Sequence, residues 1–204
     1  MSDRIMHAKL IGIYEMVFGL MGGIACLFRL LAASQQLTDN SVFVMNVAFA
    51  ICLYLACAYA GFRLYQRKIA GYELSLLIQA LQVPKLILAG FSYFFVAGPY
   101  LVFGAGQETG IGLSFNISLM QFEFGVTYNE PIYDIGVNSI ALIVCVFLYR
   151  LYKQRKFELQ MLQLNECPFC GAAMNLSSIS GLAVFCQNCQ NVIRAKDLAK
   201  KRRA

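Results

Sequence analysis

Cys167-x-x-Cys170 and Cys186-x-x-Cys189 are separated by 15 residues, a spacing typical of a four-cysteine zinc site. Two thiolates separated by two residues can turn onto one cation, and two such knuckles complete a tetrahedron of sulfur. Gly171 follows the first pair directly and permits the positive φ that such a turn often needs. Asn191 is expected to serve a similar purpose after the second pair. Between the pairs, residues Leu182 to Phe185 are expected to form a strand entering the second knuckle. Four thiolates close the coordination shell, so Zn2+ is expected here in a structural role.

A second group of reactive side chains lies in apolar sequence. Glu15 and Lys85 interrupt long hydrophobic runs, where a buried charge is costly and therefore marks a candidate functional site. Ser75, Gln79, Gln82 and Lys85 recur at spacings of three and four, which places them on one face of an expected helix, weakened or kinked at Pro84. At a rise of about 1.5 Å per residue, Glu15 and Gln79 fall in one polar layer and Lys85, Asn46 and Asn138 in another. Two readings stand side by side: a hydrated cavity or head-group site, and interhelical hydrogen bonding that fixes a bundle. Arg29, near the end of its run, is expected to snorkel to an interface. The single histidine, His7, lies near the N-terminus, which excludes a histidine-based site within the apolar runs.

The elements that must carry these residues follow from composition. The 204 residues are 59% hydrophobic and 14% charged, against roughly 45–50% and about 25% in soluble domains. So short a chain cannot hide that much apolar surface, and lipid is the natural solvent for the excess. Four segments are long enough for the roughly 20 residues a bilayer needs: 8–33, 41–62, 72–98 and 133–152. The first is expected to be an uncleaved helix and not a removed signal.

The net charge is +6. Basic residues flank the spans on one side: Arg4 and Lys9, then Arg63, Arg67 and Lys68, then Arg150, Lys153, Arg155 and Lys156. The connections at 34–40 and 99–132 hold none. Both termini are therefore expected in the cytoplasm of a multi-pass plasma (inner) membrane protein. Within 99–132 apolar residues alternate from Leu113 to Leu119 and from Phe122 to Tyr128, the period of a half-buried strand. The phase slips at Met120 and Gln121, as at a bulge or a tight turn, and the glycine-rich stretch 104–112 could turn a hairpin. An extracytoplasmic β element is expected there, either capping the helix ends or presenting a ligand surface. Gly19-x-x-x-Gly23, Ala56-x-x-x-Ala60 and Cys57-x-x-x-Gly61 would let helices approach closely, within one chain or between two.

The expected fold class is thus an α-helical membrane protein: a four-helix transmembrane domain over 1–153, a linker helix at 154–166, a zinc module at 167–193 and a basic tail at 194–204. A cytosolic setting keeps thiols reduced and disfavours disulfides. A redox C-x-x-C would need a βαβ unit that the short tail has little room to build. Residues 167–193 resemble a zinc ribbon of the rubredoxin-like kind, in which paired knuckles sit at the tips of short hairpins. The resemblance covers roughly an eighth of the chain, and the second knuckle lacks the glycine common in that class. It implies a structural metal and a role in docking protein or nucleic acid.

No hydrolase, phosphate-binding or transferase motif stands out, and no inverted repeat supports a stand-alone transporter. The expected function is a non-enzymatic membrane adaptor or accessory subunit, with a membrane-protein partner or a second copy of the chain. Lys200, Lys201, Arg202 and Arg203 would attract anionic lipid. The alternative is a small transport or lipid-handling protein using the Glu15 and Lys85 seam. Nucleic acid is the least favoured partner.

Overall fold

The computed structural model describes residues 2–32, 41–88, 91–106, 110–125, 133–163, 167, 170–173, 183–186, 188–189 and 192–194. They divide into two units, Met1–Leu151 and Tyr152–Ala204.

The first unit opens with two long helices, α1 (Ser2–Ala32) and α2 (Ser41–Tyr65). Neither contains proline, so nothing interrupts their backbone ladders. Met6–Ala32 and Val42–Tyr65 are long and apolar enough to cross a membrane. Only 33% and 22% of their most apolar stretches are buried, whereas the core helix of a soluble protein would be mostly covered. Leu20, Ile24, Phe28, Met45 and Leu55 all face outward.

Small residues set the seam between these helices. A Cβ on Gly61 would lie 2.5 Å from the Gly12 carbonyl oxygen, and one on Gly19 would lie 2.6 Å from the Ala58 nitrogen. The backbones can approach so closely only because side chains are missing there. Gly19 is therefore in the contact. A Cβ on Gly23 would meet nothing nearer than 3.8 Å, so Gly23 stands at its margin. Cys57, Ala60 and Gly61 are buried, while Ala56 is exposed.

Helix α2 closes with paired hydrogen bonds, Lys68 N–H to the Arg63 carbonyl (3.1 Å) and Arg67 N–H to the Leu64 carbonyl (2.7 Å). This is the Schellman arrangement, with Arg67 at φ 58° where glycine is usual. Helix α3 (Ile69–Leu81) follows.

The single helix expected over 72–98 does not form. Pro84 has no N–H to donate, and its ring pushes Val83 out of helical conformation. The chain continues instead as β1 (Pro84–Leu88) and β2 (Phe91–Gly106), then β3 (Gly110–Gly125) and β4 (Asp134–Asn138). With 13 residues, α3 is roughly 20 Å long, short of a bilayer core about 30 Å thick. The fourth expected span, 133–152, is corrected likewise. Asp134–Asn138 is strand, and helix α4 begins at Ser139 and runs to Gln163, through much of the expected linker helix. Its basic residues begin at Arg150.

All four strands pair antiparallel. Strand β2 pairs with β3 along one edge. Along the other it takes β1 at its beginning and β4 at its end, and β1 and β4 pair with each other. The sheet therefore curls back on itself. Between Val96 and Gly98 the β2–β3 register shifts, opposite Ser118 to Gln121. The phase slip in the sequence is a bulge, and the glycine-rich stretch joins a hairpin. The start of β2 enters the helix core, where Phe95 and Ala97 pack with Cys26, Tyr54, Cys57 and Ile78.

In the second unit, β5 (Ala183–Phe185) pairs antiparallel with β6 (Val192–Arg194). The strand expected at 182–185 is thus present, with the second cysteine pair between the two strands.

Candidate metal centre and buried polar cluster

Cys167, Cys170, Cys186 and Cys189 converge, with all four Sγ atoms within 4.8 Å of one another. Cys167 Sγ lies 3.6 Å from Cys189 Sγ, and Cys170 Sγ 3.6 Å from Cys186 Sγ. These distances are far beyond a disulfide bond of about 2.05 Å. A tetrahedron of sulfurs about 2.3 Å from a central ion has edges of roughly 3.8 Å, so the donor set is sized for one metal ion.

Local backbone chemistry builds the first knuckle. Gly171 N–H donates to the Cys167 carbonyl (2.9 Å), and Cys167 N–H donates to the Ala172 carbonyl (2.8 Å). Gly171 sits at φ 71°, the left-handed conformation anticipated for it. The Ala172 backbone N–H, and after it the Asn188 side chain, hold the Cys170 thiol below its ordinary pKa. Both favour the thiolate, the form that binds metal. Cys167 and Cys186 are buried, Cys170 is exposed and Cys189 is half-buried. Asn191 and the basic residues Lys200, Lys201, Arg202 and Arg203 lie outside the described residues.

The first unit holds a different kind of site. Glu15 is 0% exposed. The Ser75 hydroxyl donates to its Oε2 at 2.5 Å, and Gln79 Nε2 donates to its Oε1 at 3.0 Å. The Cys57 thiol reaches the Glu15 backbone carbonyl at 3.6 Å. Gly61 makes the room, since a Cβ there would lie 2.8 Å from the Glu15 Cβ. The lower polar layer, Glu15 with Gln79, is therefore a hydrogen-bonded contact between α1 and α3.

The upper layer dissolves into separate tasks. Lys85 lies on β1, not on a helix, and pairs with Asp134 of β4. Its Nζ also lies 5.8 Å from the centre of the Phe94 ring. Asn46 Nδ2 donates to the Phe124 carbonyl at 2.8 Å. Asn138 Oδ1 accepts from the N–H groups of Ala141 and Leu101, both at 3.4 Å, which caps α4. Gln82 Oε1 accepts the Ala97 N–H at 3.0 Å, while its buried Nε2 has no hydrogen-bond partner among the described residues.

Two kinds of contributor escaped the sequence. Tyr14 and Tyr54 donate to the Ala97 and Val96 carbonyls at 2.8 and 2.9 Å, so helix side chains satisfy the backbone opened by the bulge. Asp134 is the other, and its separation of 49 residues from Lys85 hides the pair from any local pattern. Comparison of the chain with family models, curated proteins and solved structures finds no match.

Proposed function

We propose that this chain is a non-enzymatic membrane adaptor, whose helices anchor it in a bilayer and whose C-terminal module, folded around a structural zinc ion, docks a partner. The observation that carries this reading is the convergence of four thiols at metal-binding distances. No histidine or carboxylate stands among them, and four thiolates leave a zinc ion no open position for substrate. The module is of the rubredoxin-like ribbon type. The exposed apolar surfaces of α1 and α2 support the membrane anchor, because patches of that extent mark a lipid or partner surface. Basic residues at the start of α1, at the end of α2 and from Arg150 onward support a cytoplasmic location for both termini at a plasma (inner) membrane, where reduced thiols suit zinc. The tail from Lys200 to Arg203 adds attraction to anionic lipid.

The test is affinity purification of the full chain in mild detergent, beside the Cys167→Ser/Cys186→Ser variant. Both are expected in the membrane fraction, with co-purifying protein lost only from the variant. An unchanged set of partners would overturn the docking role.

A second reading, transport or lipid handling, rests on Glu15, whose buried carboxylate is held by the neutral Ser75 hydroxyl and Gln79 amide. Lys85 belongs to another ion pair, which weakens a joint seam. If Glu15→Gln abolishes a membrane activity while leaving the fold intact, this reading replaces the first.

A further inference from the structure

We infer that the curled sheet lies at bilayer depth, beside the outer halves of α1 and α2, and presents its outward face to lipid acyl chains. This rests on the reading of α1 and α2 as membrane-crossing helices and names the chemistry that covers a face they do not cover themselves.

The level of the sheet comes from its contacts. A Cβ on Gly98 would meet Tyr14 and Phe18, and Phe18 is near the middle of the Met6–Ala32 stretch. The same level is marked where Asn138 N–H donates to the Val83 carbonyl at 2.7 Å, just past the end of α3. At the other extreme Asn46, about 6 Å inside the start of the Val42–Tyr65 stretch, holds the Phe124 carbonyl. Phe49 packs on Phe122 and Phe124 between these points. The sheet therefore runs from mid-span to the outer end of the two long helices. It occupies the place that α3, ending at Leu81, leaves open.

Its two faces are the reverse of those of a sheet capping a protein in water. Phe103 pairs with Val137, and Ala105 pairs with Ile135, so these four share one face. Phe103 is 54% exposed, Ile135 47% and Val137 41%. The opposite face carries the Lys85–Asp134 ion pair beside the buried cluster Phe94, Val96, Tyr100 and Val102. On β1, β2 and β4 charge is turned inward and apolar side chains outward, while Glu123 of β3 is exposed. Antiparallel sheets that meet water show polar side chains there, whereas sheets in lipid show the pattern seen here.

The backbone of β1, β2 and β4 obeys the same constraint. In hydrocarbon every N–H and C=O must be satisfied within the protein. Strands β1 and β4 each pair on both edges, and β2 pairs along both of its edges. The remaining edge belongs to β3, and there the Asn46 side chain takes the Phe124 carbonyl. The apolar face continues directly from Val137 into α4, whose Leu142, Ile143 and Val146 are also exposed.

The chain contains no tryptophan, so single tryptophans report their surroundings without background. Phe103→Trp and Val137→Trp test the two strands separately, and Leu20→Trp on the exposed side of α1 serves as the lipid reference. Each variant of the full chain is placed in vesicles whose phospholipids carry bromine on the acyl chains. The expected result is a loss of fluorescence at both strand positions as large as at Leu20→Trp, with little effect of aqueous iodide. If Leu20→Trp is quenched by the brominated lipid but the strand positions respond to iodide, or to neither quencher, the sheet faces water or protein and the inference fails alone. Absence of lipid quenching at Leu20→Trp as well would remove the membrane reading and the inference with it. Agreement between the two strand positions guards against a local packing fault at either one.

Discussion

The two units of this chain are held together by different physics. In Met1–Leu151 large side chains such as Tyr54, Phe94, Phe95 and Leu148 are fully buried, and the buried polar groups of Glu15, Ser75, Gln79 and Asn138 are matched by hydrogen bonds between elements far apart in sequence. In Tyr152–Ala204 the buried side chains among the described residues are Arg155, Cys167 and Cys186. Among the described residues of that unit the regular structure after α4 is two three-residue strands, with two buried thiols beside them. A unit of that size needs a staple, and the four converging sulfurs supply the place for one. The first unit should therefore tolerate loss of a single contact, whereas the second should stand or fall on a metal ion bound by the four thiols.

The largest effect expected is therefore in the second unit. Structural zinc in small four-ligand modules contributes on the order of 10 kcal/mol at neutral pH. Chelation, or Cys167→Ser, should make the region after Tyr152 sensitive to limited proteolysis while Met1–Leu151 stays resistant. Equal resistance with and without chelator would break the contrast.

In the first unit the largest expected loss is at Glu15. Glu15→Leu leaves the Ser75 hydroxyl and the Gln79 amide without their buried acceptor, at about 1–3 kcal/mol each. Glu15→Gln retains an acceptor oxygen and should recover most of that loss in thermal unfolding in detergent. Equal destabilisation by both variants would show that the charge, and not the hydrogen bonds, holds α1 to α3.

Gly98→Ala comes next. Gly98 has φ 102° and a Cβ there would lie 2.6 Å from the Tyr14 hydroxyl, so about 1–3 kcal/mol of strain is expected. A Gly98→Ala protein as stable as the parent would mean that the bulge does not lock the sheet onto the helices.

The smallest effect belongs to Lys85 and Asp134, whose side chains are 22% and 27% exposed. So partly covered a pair is expected to couple by about 1 kcal/mol. A double-mutant cycle with Lys85→Met and Asp134→Asn should return a coupling of that size.

Residues with a local pattern were legible in the sequence. The paired cysteines needed only their spacing and a following glycine. The bulge showed as a break in alternation at Met120 and Gln121, and the Glu15 partners showed as a polar stripe through Ser75 and Gln79. What escaped was set by distant contacts or masked by composition. The run from Leu76 to Val96 is apolar enough to pass for one helix, and period alone cannot separate a buried strand from a buried helix. Pro84 and the aromatic residues at 91–95 were the available signals, and continuous hydrophobicity outweighed them. Lys85 then inherited a helical position it does not hold, and its partner Asp134 stayed hidden. Gly12 was missed because its seam partner is Gly61 on another helix, not a glycine four residues away.

The most direct test is the metal content of the full chain, purified in mild detergent without chelator or added metal. One zinc ion per chain is expected, falling to none in the Cys167→Ser/Cys186→Ser variant, while the purified parent shows no disulfide. A parent chain free of metal with all eight cysteines reactive as thiols, or with its paired cysteines oxidised to disulfides, would contradict the account.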